Sequence, residues 1–190
     1  AVAARHPESA ALVAAVVDIA SINQGRPGFD DTAAWLKRLT ALPGMADAEA
    51  GRRIFSHSKL ALCASCHRHS GRGNVVGPDL SFVGRQGDQK LILQSILEPN
   101  REVAPQFYPT LLELKDGTQF TGILLRSSSV DVFRDLTGKE RTFQKTEVVR
   151  RSELRSSLMP MGLPALMTDQ ELRDLLAFLA RNAGTQTAAR

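Results

Sequence analysis

The chain of 190 residues has only two cysteines, one tryptophan and one tyrosine. So few aromatic side chains leave little to stack bases on, and the basic residues are interspersed with acids, so no nucleic-acid partner is expected. Neither charge sign dominates: 24 Lys and Arg stand against 20 Asp and Glu, a formal net charge of +4. The longest apolar run, Ala10 to Val17, stops at Asp18 and is far too short to span a bilayer, so no transmembrane segment is expected. The chain begins at Ala1 rather than Met, and no segment combines a charged n-region, an apolar core and a cleavage site, which suits a processed or excised chain. An apolar fraction of 43% is enough for a core, in one large domain or two small ones.

Hydrophobic spacing divides the chain into blocks. Residues 1–45 read as a helical extension, with Ala10, Val13, Val17 and Ala20 on one stripe, then Ala34, Leu36 and Leu39 beyond a break at Asn23 to Gly28. Asp47 can cap a helix through Glu49, Arg52, Ile54 and Phe55, opening a block over 46–106. Period-2 runs replace helical ones across 107–154: Thr110 to Leu114, Thr118 to Leu124, Val130 to Phe133, Arg141 to Phe143 and Val148-Val149. Asp116-Gly117 and Thr137-Gly138 mark two of the turns. That β module would be a small curled sheet or barrel. Helical spacing returns over 155–184, where a Thr168/Glu171 capping box precedes a Leu172, Leu175, Leu176, Leu179 stripe, and 185–190 read as a loose tail.

The chemistry concentrates in Cys63-Ala64-Ser65-Cys66-His67. C-x-x-C-H is the spacing of covalent haem attachment: two thiols add across the two vinyl groups, and the adjacent histidine becomes the proximal iron ligand. Two other readings compete. A zinc site would recruit His57 and His69 to the cysteine pair. A redox dithiol would need a βαβ setting that the flanks lack. Methionine opposite histidine stabilises ferrous haem, which singles out Met159 in the Pro-rich loop before the last helix, with Met161 and Met167 as alternatives. Met45 is better suited to packing.

Gly51 and Phe55 before the motif, Gly77-Pro78-Asp79-Leu80 with Gly84-Arg85 after it, then Met159-Pro160 and a Leu-rich terminal helix with Phe178, resemble a class I c-type cytochrome. Ile96 to Pro105 and Ser157 to Leu163, on either side of the β insertion, resemble the haem-binding domain family typical of planctomycetes and verrucomicrobia, from about Asp47 to Asn182. The resemblance implies a mainly α fold, the class I helical arrangement with an inserted small antiparallel β module and an N-terminal helical extension. It implies that the first and last helices cross near Gly51 and Phe178. It further implies one covalent haem c held by Cys63, Cys66 and His67, with Met159 as second axial ligand, Pro78 orienting the histidine and Arg85 donating to a propionate. Met161 departs from the family, where that position is commonly polar, so Met159 and Met161 both stay in view.

The expected function is outer-sphere electron transfer rather than catalysis, with electrons accepted from a redox partner protein or a fused dehydrogenase, in a periplasmic or secreted setting. Arg52, Arg53, Lys59, Arg68 and Arg72 around the motif would steer an acidic partner, unless they are ordinary solvated charge. A haem sensor or peroxidase-like enzyme with a labile sixth ligand is the first alternative. An interaction module built on the β insertion is the second.

Overall fold

A computed structural model describes residues 19–57, 62–86 and 88–181. The first helical stripe at Ala10, Val13 and Val17 and the tail from 185 onward lie outside the described residues.

Helices at both ends of the chain build the larger core. They are α1 (Ile19–Asn23), α2 (Thr32–Thr40), α3 (Ala48–His57), the single turns α4 (Cys63–Cys66) and α5 (Val83–Gln86), α6 (Gln89–Leu97) and α7 (Asp169–Ala180). Side-chain caps start the longer ones, each worth about 1 kcal/mol. The Asp31 carboxylate accepts from Ala34 N–H at 2.9 Å, Asp47 from Glu49 and Ala50 at 2.8 and 3.1 Å, and Asp88 from Leu91 at 3.0 Å. Thr168 and Glu171 form the expected capping box on α7. Trp35, Leu39, Phe55, Leu93, Leu97, Leu172, Leu175 and Leu179 are buried together, so the segment read as an N-terminal extension contributes to the same core as the motif-bearing block.

The crossing of α3 and α7 depends on Gly51. A Cβ there would lie 2.5 Å from the Asp174 carbonyl carbon and 2.9 Å from Phe178 Cβ, so only a glycine lets the backbones approach this closely. Asp174, buried at the same crossing, accepts from Asp47 N–H at 2.8 Å and Gln170 Nε2 at 2.7 Å, which leaves its carboxylate partnered.

Residues 109–153 form an antiparallel sheet in the order β6-β5-β4-β3-β7, from β3 (Pro109–Leu114), β4 (Gln119–Ser127), β5 (Val130–Asp135), β6 (Glu140–Gln144) and β7 (Val148–Glu153). Flat, its two edges would stand about 19 Å apart, four strand spacings. Yet only the 3₁₀ turn Lys145–Glu147 separates edge strand β6 from edge strand β7. The sheet must therefore curl until its edges converge at that end. Leu112, Ile123, Val132 and Phe133 are buried within it, and Phe120 and Phe143 pack on Phe133 at ring-centroid distances of 5.7 and 6.0 Å.

The mainly α class expected from the sequence is overturned. A five-stranded antiparallel sheet and a two-stranded ribbon, β1 (Arg68–His69) with β2 (Arg72–Gly73), make this a mixed α and β chain rather than a mainly α cytochrome fold. The physical reason lies in strand length. β4 extends three residues past Leu124, through Leu125, Arg126 and Ser127, and β7 four past Val149, all polar, and neither extension shows an apolar alternation.

Candidate functional site

The two cysteines and His67 are set by one tight turn. Leu62 enters it in the left-handed region, φ 52°, an uncommon conformation for a non-glycine residue, and His67 N–H closes it by donating to Cys63 O at 2.8 Å. His67 itself is extended, with φ −108° and ψ 147°. Burial pushes the Cys63 thiol up to about 11 and the Cys66 thiol upward as well, so both are protonated thiols at neutral pH. Exchange-active dithiols need the opposite shift, which removes support from the redox-dithiol reading.

The imidazole of His67 is held on two sides. Its Nδ1 lies 3.0 Å from the Pro78 carbonyl oxygen. A carbonyl only accepts, so Nδ1 carries the proton and Nε2 presents its lone pair, the arrangement found where histidine ligates a metal. Burial lowers the histidine's pKa, opposed by the Pro78 carbonyl, and favours the neutral ring that a ligand requires. Gly77 lies flush against the same ring: a Cβ there would stand 2.6 Å from Cε1 and 2.8 Å from Nδ1. Gly77 N–H donates to Cys66 O at 2.7 Å, tying this backbone to the turn.

The histidines of the zinc reading are placed elsewhere. His57 is exposed in the last turn of α3. His69 is buried, 4.3 Å from the Phe178 ring centroid and 5.9 Å from that of Phe55. Among the described residues no three His, Cys, Asp or Glu side chains gather as a metal would need.

The methionines separate clearly. Met159 is half-buried against the helical core on which Cys63, Ala64, Leu80 and Val83 also pack, and its N–H donates to Ser157 Oγ at 3.0 Å. Met161 is 67% exposed and faces a hollow of about 500 Å³ with Phe29, Leu97, Asn100 and Arg101. Met167 is sealed in the core and Met45 is solvated. The structure thus brings Met159, and not Met161, to the core that the motif shares.

Arg85 is exposed, with its guanidinium 5.0 Å from the Phe82 ring centroid and no ion pair among the described residues. Leu62, Phe82 and Leu91, from the motif's flank and the segments after it, leave large apolar side chains about half in water. The exposed Phe82 ring beside a cation with no ion pair among the described residues suits a flat apolar group with acidic edges. With protonated thiols and a lone pair fixed on His67 Nε2, the residues present fit haem. The cationic ring around the motif is weaker than its sequence suggests: Arg52 pairs with Glu49 at 2.8 Å, Arg68 with Asp79 at 2.8 Å and Arg53 with Asp47 at 3.8 Å. Arg72 is exposed, and Lys59 lies outside the described residues.

Sequence reasoning missed the residues that hold this site. Gly77 stands in the sequence only within the Gly77-Pro78-Asp79-Leu80 resemblance, with no role of its own, and Asn74, Arg134 and Arg26 carry no signal because their partners are backbone carbonyls or distant side chains. No protein-family model matches the chain, and no curated protein matches it either. Among the described residues no helix is long and apolar enough to cross a membrane.

Proposed function

We propose that this chain is a mono-haem c electron carrier, with the thiols of Cys63 and Cys66 adding across the two vinyl groups. When bound, the haem supplies a one-electron ferrous/ferric couple whose potential depends on its axial ligands. The observation that carries the reading is the 3.0 Å contact of His67 Nδ1 with Pro78 O, which commits the ring's proton to that side and leaves Nε2 as the ligand atom. Met159 would be the other protein ligand holding the iron, supported by its place on the core that Cys63 also packs against. Arg85 would donate to a propionate, and Pro78 fixes the histidine. No side chain is assigned a catalytic role. The partner is a redox protein or a fused dehydrogenase, and the setting is periplasmic or secreted, since attachment of this type takes place outside the bacterial cytoplasm. The resemblance of the motif and its flanks to the planctomycete and verrucomicrobial haem-binding domains supports the same reading.

Absorption spectra of protein produced with a haem c attachment system test it. Expected are one covalent haem per chain, its loss in Cys63→Ser with Cys66→Ser, and a methionine–iron charge-transfer band abolished by Met159→Ala but kept in Met161→Ala. A matured chain without a Soret band overturns the proposal. Rapid carbon monoxide binding by the reduced native protein would favour the sensor or peroxidase-like reading.

A further inference from the structure

The loop between the motif and Pro78 is hydrogen-bonded in two directions. Toward the motif, Asn74 N–H donates to Ala64 O at 3.0 Å and Gly77 N–H to Cys66 O at 2.7 Å. Toward the sheet, Asn74 Nδ2 donates to Thr137 O at 2.8 Å and Arg134 Nη1 to Val75 O at 3.0 Å. Asn74 Oδ1 accepts from Val75 N–H at 2.8 Å, so one side chain both shapes the loop and ties it to the sheet.

The sheet's side of this contact is built to hold its shape. Asp135 Oδ1 accepts from Thr137 N–H at 2.9 Å, Thr137 Oγ1 at 2.7 Å and Lys139 N–H at 3.0 Å, while Oδ2 accepts from Arg141 Nε at 3.2 Å. At the tip, Gly138 has φ +85°, and a Cβ on it would come within 2.7 Å of the Asn74 amide carbon. The tip is glycine because it is pressed against Asn74.

We infer that the inserted sheet is a positioning device for His67, with Asn74 and Arg134 as positioning residues that fix residues 74–77 and thereby the Gly77 and Pro78 walls of the imidazole. This rests on the proposed haem function for its purpose, though not for its geometry. It also decides between two roles for the insertion: its β5–β6 turn is spent on the motif's own loop, which makes the insertion a brace rather than primarily a docking face.

The test uses Asn74→Asp, which keeps the acceptor for Val75 N–H but loses the donor to Thr137 O, together with Arg134→Met and Arg134→Lys. Two readouts are taken on haem-loaded protein: amide hydrogen exchange over residues 74–80 and the midpoint potential. Expected for Asn74→Asp and Arg134→Met are about tenfold faster exchange confined to that loop and a displaced potential with haem still attached; Arg134→Lys should stay close to wild type. Wild-type exchange and potential in both disruptive variants overturn the inference. So does faster exchange spread evenly over the chain, which reports a general loss of stability. Wild-type values with lost partner reduction would assign the sheet to docking instead. If wild-type protein attaches no haem, the proposed function fails, and exchange on the haem-free chain still decides the clamp.

Discussion

Replacing Gly77 with alanine should disturb His67 directly, and its size follows from the contact geometry. The three atoms nearest the added methyl all belong to the His67 ring, the closest at 2.6 Å, whereas ordinary carbon contacts begin at 3.4 Å. The ring must retreat by about 0.8 Å, a shift that strains or breaks the 3.0 Å bond from Nδ1 to Pro78 O. Overpacking of this kind costs about 1–3 kcal/mol, and the lost hydrogen bond adds about 1 kcal/mol. For a chain of this size that is a fall in Tm on the order of 10 °C. The assay is a double-mutant cycle by denaturant unfolding: wild type, Gly77→Ala, His67→Ala and the pair, all without haem. Because the three closest atoms all belong to the ring, Gly77→Ala should cost much less once His67 is already alanine, a coupling of about 2 kcal/mol. Additive costs would refute the packing argument. In haem-loaded protein the same substitution should keep the covalent attachment, since the cysteine turn is untouched, yet alter the ferric spectrum.

Arg26 offers a second test. Its side chain is 4% exposed and donates to Asp169 Oδ1, Pro164 O and Met167 O at 2.8, 3.0 and 2.6 Å, beneath the Trp35 ring. Arg26→Ala strands the Pro164 and Met167 carbonyls, while Asp169 keeps Arg38 on its other oxygen, and should cost about 2–4 kcal/mol in urea unfolding, with Arg26→Lys recovering only part; a cost under about 1 kcal/mol would show that the network does not hold the loop. Acid unfolding tests Asp79, whose carboxyl is drawn down from 3.8 to about 2, first by the Ser81 hydroxyl and N–H and then by Arg68. A folded value below the unfolded one means stability that is full above the unfolded value and lost as pH falls through the folded one. The stability gap between wild type and Asp79→Asn should therefore be present at pH 6 and shrink toward pH 2, and an equal gap at both would contradict it.

The readable parts of this sequence were those whose physics is local. The caps at Asp47 and Thr168, the turns at Asp116-Gly117 and Thr137-Gly138 and the five-residue motif each declare themselves within a few residues. The fold class failed because edge strands lack a buried face. Arg150, Arg151 and Glu153 of β7 are exposed, so nothing in their spacing marks a strand, and they pair with β3 only once the rest of the sheet exists. A ribbon of two residues a side, as in β1 and β2, is too short for any period. The supports of the site were hidden for a different reason. Asn74 reaches Thr137 across 63 positions and Arg26 reaches Asp169 across 143, in folds of the chain that no local pattern encodes.

The placement of the insertion explains how a sheet can brace a site without disrupting the helices around it. Its ends lie side by side, since β3 pairs with β7 and Leu154 N–H donates to Pro109 O at 2.8 Å, so the chain leaves the helical core and returns to it at nearly one point. Asn100 and Ser157 close that neck, with Ser157 N–H donating to Asn100 Oδ1 at 2.7 Å. The same Ser157 accepts Met159 N–H through its hydroxyl. The neck of the sheet and the start of the methionine loop are therefore one hydrogen-bonded unit, while the sheet's far turn grips residues 74 and 75. Through its far turn and through the neck it hangs from, the insertion is linked to the backbone that walls His67 and to the backbone beside Met159. Loosening it should be felt at both, whereas a break in the Arg26 network, which holds only the far half of the methionine loop, should be felt at one.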